Sequence, residues 1–168
     1  MTAPQQSVEL VPDAAGDAAV RVQWDALVAA GLPSLARHPS ASNRPHVKVI
    51  AAPLVDPAQD EALEAALPPL LPITVRWGAV TVFRPGRWSP HLTLARRVCA
   101  ADLDAVLAVL MAWSQEDVTF VAARRWDPAA RQAWPLGVGG RPARPSAHPT
   151  AVSSPSAGTL RGSGTLRG

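Results

Sequence analysis

At 168 residues and 48% hydrophobic composition the chain can bury one core and is expected to form a single domain. One cysteine, Cys99, excludes an internal disulfide framework and a thiolate metal cluster. The polar opening MTAPQQSVEL and the lack of any run near ~18 apolar residues predict a soluble, cytoplasmic protein with no membrane partner.

The net charge of +3 and pI near 10.4 are weak evidence for a nucleic-acid partner, because the excess sits at one end. Up to Pro135 the chain carries 12 of its 16 basic residues and all 13 acids, a net of −1. Residues 137–168 are dominated by Gly, Pro, Ser, Ala and Thr and end on GTLRG written twice. Such a segment buries too little apolar surface to offset its chain entropy. The expected organisation is a folded domain over 1–136 and a disordered Gly/Pro/Ser/Arg tail over 137–168.

In chain order, residues 7–11 alternate and predict a strand. Val20, Trp24, Leu27 and Val28 share one face of a helix over about 17–30, closed by Gly31. A loop rich in Pro, Ser and Asn leads to a short strand at 47–51. Asp56 and Pro57 supply an N-cap and first helical residue, with Gln59 in capping-box position, and Leu63, Ala66, Leu67 and Leu70 form the stripe of a second helix ending before Pro72. Residues 73–83 are β-rich, with a bend expected at Gly78, and turn residues Pro85 and Gly86 follow. A strand is expected at 91–95, a third helix on Leu103, Val106, Leu107 and Leu110, and a last strand at 118–122 before Trp126 and Trp134.

The two halves share a pattern: PHVKV at 45–49 and PHLTL at 90–94. Each is followed by a helix and then a strand, which begins at Ile73 and Val118, 27 residues past the histidine in both cases. This predicts a duplicated unit. Side chains two apart on a strand share a face, so His46 with Lys48 and His91 with Thr93 form polar pairs, while Val47, Val49, Leu92 and Leu94 turn toward the helices. Packed about a pseudo-twofold axis, the polar pairs would face one cleft.

Two imidazoles across a cleft can run acid-base chemistry near neutrality, since an unperturbed histidine titrates near ~6.5. In phosphodiester chemistry one removes a proton from the attacking hydroxyl or water and the other protonates the leaving oxygen. Lys48 and Thr93 would donate to the non-bridging oxygens. This needs no metal and no cofactor. A histidine metal centre is the weaker reading, because no Cys, Asp or Glu stands at ligand spacing.

The two segments resemble the paired His-x-Ser/Thr-x motifs of the two-histidine phosphoesterase superfamily, and SNRPHVKVIAAP and RPGRWSPHLTLAR resemble bacterial 2′-5′ RNA ligase family proteins. The resemblance spans about residues 7–135. It implies an α+β, bilobed fold with antiparallel sheets flanking a central cleft. It also implies His46 and His91 as the catalytic pair, Thr93 as a phosphate-binding hydroxyl, and RNA termini or small nucleotides as substrate. The chain departs from the family twice. Lys48 stands where a serine or threonine is usual, and either grips phosphate as a point charge or marks a lost ligand. His46 and His91 are only 45 residues apart, so a strand and helix that relatives place between the motifs are absent near 83–87 and the second lobe is shortened. The alternative function is a degenerate, non-catalytic relative that binds RNA or nucleotides in the same cleft.

Beyond the motifs, His38 and His148 read as structural or exposed, and the tryptophans read as packing except Trp88, a candidate base-stacking platform beside the second motif. Arg44, Arg96 and Arg97 flank the motifs and are either phosphate contacts or unspecialised surface arginines. Cys99 reads as a small buried or capping residue.

Overall fold

A computed structural model describes residues 5–77, 79–83, 89–113 and 117–137, the side chain of Pro57 excepted. Gly78, Trp88, most of the 83–87 junction and the tail beyond Gly137 lie outside these residues.

The elements run β1 (Gln6–Pro12), α1 (Ala14–Ala29), β2 (Val47–Ala52), α2 (Pro57–Ala66), β3 (Ile73–Arg76), α3 (Leu103–Met111), β4 (Asp117–Asp127) and β5 (Gln132–Leu136). The fold is α+β: among the described residues, three α-helices pack on one open sheet whose strands all pair antiparallel. The strand order is β2-β1-β4-β3, and β5 lies beside the second half of β4. No described helix is long and apolar enough to cross a membrane.

Local chemistry sets the helix ends. Asp13 caps α1 by accepting from the Gly16 N–H at 2.8 Å, and its own N–H donates to the Thr119 carbonyl of β4. The helix closes at Gly31, whose φ of +72° is open to glycine at no steric cost. Asp56 and Gln59 form a reciprocal capping box on α2. That helix stops at Ala66, earlier than its stripe suggests, because Pro68 and Pro69 supply no backbone donors. Leu70 therefore falls in a 3-10 turn and is exposed, and Ala66 is exposed as well.

Apolar clusters cover both faces of the sheet. On one, Leu63 of α2 and Leu67, which caps its end, meet Val8, Ala123 and Leu136. Elsewhere Val20 and Trp24 of α1 gather Leu35, Trp77, Leu92, Leu94 and Trp113, and Leu27 joins Val106 and Leu110 of α3. Helix α1 sits so close to β4 that a Cβ on Gly16 would lie 2.7 Å from Val118 Cγ1. Gly16→Val is accordingly expected to destabilise the fold by about 1–3 kcal/mol, as overpacked positions do, measured by urea unfolding.

Three strand expectations change. Beyond Arg76 the described residues of the β-rich stretch are not strand. The second motif makes one isolated antiparallel bridge, Val47 to Leu92, in place of a strand over 91–95. Its next carbonyls are taken from outside the sheet: the Trp24 indole donates to Thr93 O at 3.3 Å, and Leu35 N donates to Leu94 O at 3.1 Å. The last strand reaches Asp127 and turns back into β5, which was not expected. The turn is held by Asp127 Oδ1, which accepts from the Ala129 and Ala130 N–H groups.

Candidate functional site

Strand β1 is the inner strand between β2 and β4, and its polar residues are buried with its apolar ones. Ser7 is 0% exposed and Glu9 2%. The register sets Glu9 opposite Lys48 of β2 and opposite Arg124 of β4. Cross-strand partners lie close on one face, so the carboxylate is flanked by two cations. Arg124 Nε donates to Glu9 Oε2 at 2.8 Å, Ser7 Oγ donates to Oε1 at 2.8 Å, and Lys48 Nζ stands 3.8 Å from Oε1. The β1–β2 register shifts between Val8 and Glu9; Val49 and Ile50 both pack toward α2 while Lys48 faces Glu9.

His46 precedes β2 with its Nε2 3.5 Å from Glu9 Oε1. Its Nδ1 is 2.7 Å from the Arg44 carbonyl. A carbonyl only accepts, so Nδ1 carries the hydrogen and Nε2 is the nitrogen that titrates. His91 makes the same contact, Nδ1 to the Ser89 carbonyl at 2.6 Å, two residues back as in His46. The Phe83 ring lies 4.5 Å from the His91 ring.

The repeat is visible in the pairing. Val47 bridges Leu92 and Thr74 pairs with Thr119, and each pair joins residues 45 apart, the separation of His46 and His91. Antiparallel pairing of each position with its own equivalent is what a twofold axis through both pairs requires. The Thr74 and Thr119 hydroxyls meet at 2.9 Å.

Beside His46 lies a cleft of about 150 Å³, walled by Glu9, Lys48, Arg96, Arg124, Trp126 and the loop from His38 to Asn43. His91 and Thr93 are not among the described residues lining it, so the four residues singled out from sequence do not all meet in one cavity. Glu9, Arg124 and His38 are added to them. An acid set among Val8, Leu10 and Val11 was the one sequence signal for Glu9. Arg124 lay past the expected end of its strand. Among the described residues no three His, Cys, Asp or Glu side chains are placed to hold a metal ion.

Burial pushes the His46 imidazole below its ordinary 6.5, helped by the Arg124 and Lys48 charges and opposed by Glu9 and the Arg44 carbonyl. His46 is therefore neutral at pH 7, the form a general base needs. Lys48 is also lowered, first by burial and then by Arg96 and Arg124, against Glu9. The lowered His46 pKa makes the unfolded chain take up its proton first on acidification. That contribution to stability is complete above about pH 6.5 and is lost as pH falls from there toward the folded pKa. Urea midpoints measured between pH 7.5 and 5 are expected to fall less in His46→Gln than in the parent.

No family model, no curated protein and no solved structure matches the chain.

Proposed function

We propose that the chain is a metal-independent two-histidine phosphodiesterase or 2′-5′ RNA ligase-like enzyme acting on 2′,3′-cyclic phosphate or 2′-5′ linked termini of RNA or small nucleotides. The observation that carries the reading is the equivalence of the two histidines. Each ring is fixed through Nδ1 to the carbonyl two residues back, and the residues that follow them, Val47 and Leu92, form an antiparallel bridge. In this reading the two units are the lobes of a bilobed fold, the second one shortened, with the cleft between them.

In hydrolysis of a cyclic phosphate, neutral His46 takes the proton of the attacking water at Nε2 as the new P–O bond forms. Glu9, 3.5 Å away, stabilises the resulting imidazolium. The bond to the leaving ribose oxygen breaks, and His91, acting as the acid, gives that oxygen a proton. Lys48 and Thr93 balance the charge that grows on the non-bridging oxygens. In ligation a 5′-hydroxyl takes the place of the attacking water: it gives its proton to the base as its P–O bond forms, and one ribose oxygen of the cyclic phosphate leaves and takes a proton from the acid.

A second reading, a non-catalytic relative that binds RNA or nucleotides, is favoured by Phe83 stacked near His91 and by the cleft's lining from one side of the pair. Hydrolysis of an RNA oligonucleotide ending in a 2′,3′-cyclic phosphate, in excess EDTA, separates them. Turnover that survives chelation supports the enzyme. A folded but inert protein, tested also on a 2′-5′ linked dinucleotide, leaves the binding module.

A further inference from the structure

We propose that the cleft beside His46 is a subsite for a second, non-reacting phosphate, so that the preferred substrate is an oligonucleotide terminus and not a lone cyclic nucleotide. The proposal rests on the two-histidine reading and names the substrate class of that site.

Three observations carry it. The first is charge: Lys48, Arg96 and Arg124 line the cleft against one acid, Glu9, leaving an excess of two positive charges while His46 is neutral. Glu9 is already bonded to Arg124 at 2.8 Å, Lys48 stands off at 3.8 Å, and Arg96 makes no ion pair among the described residues. Two cations therefore face the cleft without a hydrogen-bonded acid: Lys48, assigned above to the reacting phosphate, and Arg96, which is left for the second. They also press on each other, since Arg96 is one of the charges that lower the Lys48 pKa.

The second observation is size. About 150 Å³ is well below the ~300–1,000 Å³ of sites that enclose a drug-sized ligand. The cleft takes a phosphate group and leaves its nucleoside outside.

The third is position. His46 and Lys48 line the cleft, whereas His91 and Thr93 are not among its described lining residues. A phosphate here lies to one side of the histidine pair, where the next phosphate of a chain would run. His38 adds a neutral donor: its Nδ1 accepts from the Ser40 N–H at 3.2 Å, which leaves the ring hydrogen on Nε2.

The test is a binding titration of the full chain with three probes: inorganic phosphate, a nucleoside 2′,3′-cyclic phosphate, and a dinucleotide ending in a 2′,3′-cyclic phosphate. Calorimetry gives affinity, and the Trp126 indole N–H resonance, assigned with Trp126→Phe, reports occupancy of the cleft. The dinucleotide is expected to bind about tenfold or more tighter than the mononucleotide, equivalent to about 1.4 kcal/mol. Arg96→Ala should erase most of that advantage and lower the salt slope by about 0.7, the value for one contact to a single strand. Arg76→Ala, which removes the same charge from an exposed site on β3, is the control. Equal affinity for the two nucleotides, an unmoved Trp126 resonance with all three probes, or an Arg96→Ala loss no larger than that of Arg76→Ala overturns the proposal. Turnover without a dinucleotide advantage removes the subsite and keeps the two histidines. Phosphate binding at Trp126 in an inert protein removes the enzyme and keeps the subsite.

Discussion

His46→Ala and His91→Ala are each expected to lower hydrolysis of an RNA 2′,3′-cyclic phosphate terminus by about 10²–10⁴-fold, the range for a positioned acid or base. The two act in one step, so the double variant should lose little more than either single one. The loss belongs in kcat and not in KM, because the proton transfers are made in the transition state. The acid limb of kcat/KM is expected below pH 6.5, where His46 gains its proton in the free protein. His46→Ala should remove that limb from whatever rate remains. Retained turnover in either variant, with the fold checked by amide NMR spectra, would refute the assignment of that histidine.

Asp60→Ala is expected to cost about 3–5 kcal/mol of stability, the range for removing one partner of a buried ion pair. Arg125 is 1% exposed and its Nε donates to Asp60 Oδ1 at 2.8 Å, which ties α2 to β4. The same guanidinium donates to Gln6 Oε1 at 2.7 Å and to the Ser7 carbonyl at 3.1 Å. Gln6 in turn accepts from the Val55 N–H and donates to Asp127. Without Asp60 those neutral acceptors remain, but the charge has no counter-ion. The Asp60→Leu/Arg125→Met pair is expected to recover most of the loss, since apolar replacement of a whole buried pair is often near neutral. Urea unfolding of the single and double variants gives both numbers. A loss under about 1 kcal/mol in Asp60→Ala, the ceiling for exposed pairs, would show that the network contributes little.

Much of the frame was legible in the sequence because it rests on short-range rules. The Val20–Trp24–Leu27 stripe, the Asp56–Gln59 box and the stop at Gly31 each depend on residues within a few positions of one another. The 45-residue repeat was legible for a similar reason, since equivalent residues show it without any knowledge of packing. What sequence reading missed depends on distant partners. Arg124 and Arg125 look like a solvated end of a strand, yet one is bonded to Glu9 and the other to Asp60, 115 and 65 residues away. Glu9 itself is tolerable inside only because Lys48 arrives from β2 and Arg124 from β4. The second motif has strand periodicity, but its carbonyls bond to Trp24 and Leu35, so the ladder stops at one bridge.

The pairing of Val47 with Leu92 and of Thr74 with Thr119 has a wider consequence. An interface in which residue i meets j and the counterpart of i meets the counterpart of j, with self-pairs on the axis, is isologous, the geometry by which two identical subunits close on one another. Here both copies lie on one polypeptide. Identical subunits must present identical groups to a shared centre, and such a centre cannot tell which end of a ligand it holds. A fused pair is free of that constraint. Position 48 is lysine where its counterpart, position 93, is threonine, and Glu9 stands against the first histidine. In the two-histidine reading proposed above, covalent fusion would give a palindromic centre a direction, and with it a fixed orientation for an asymmetric chain.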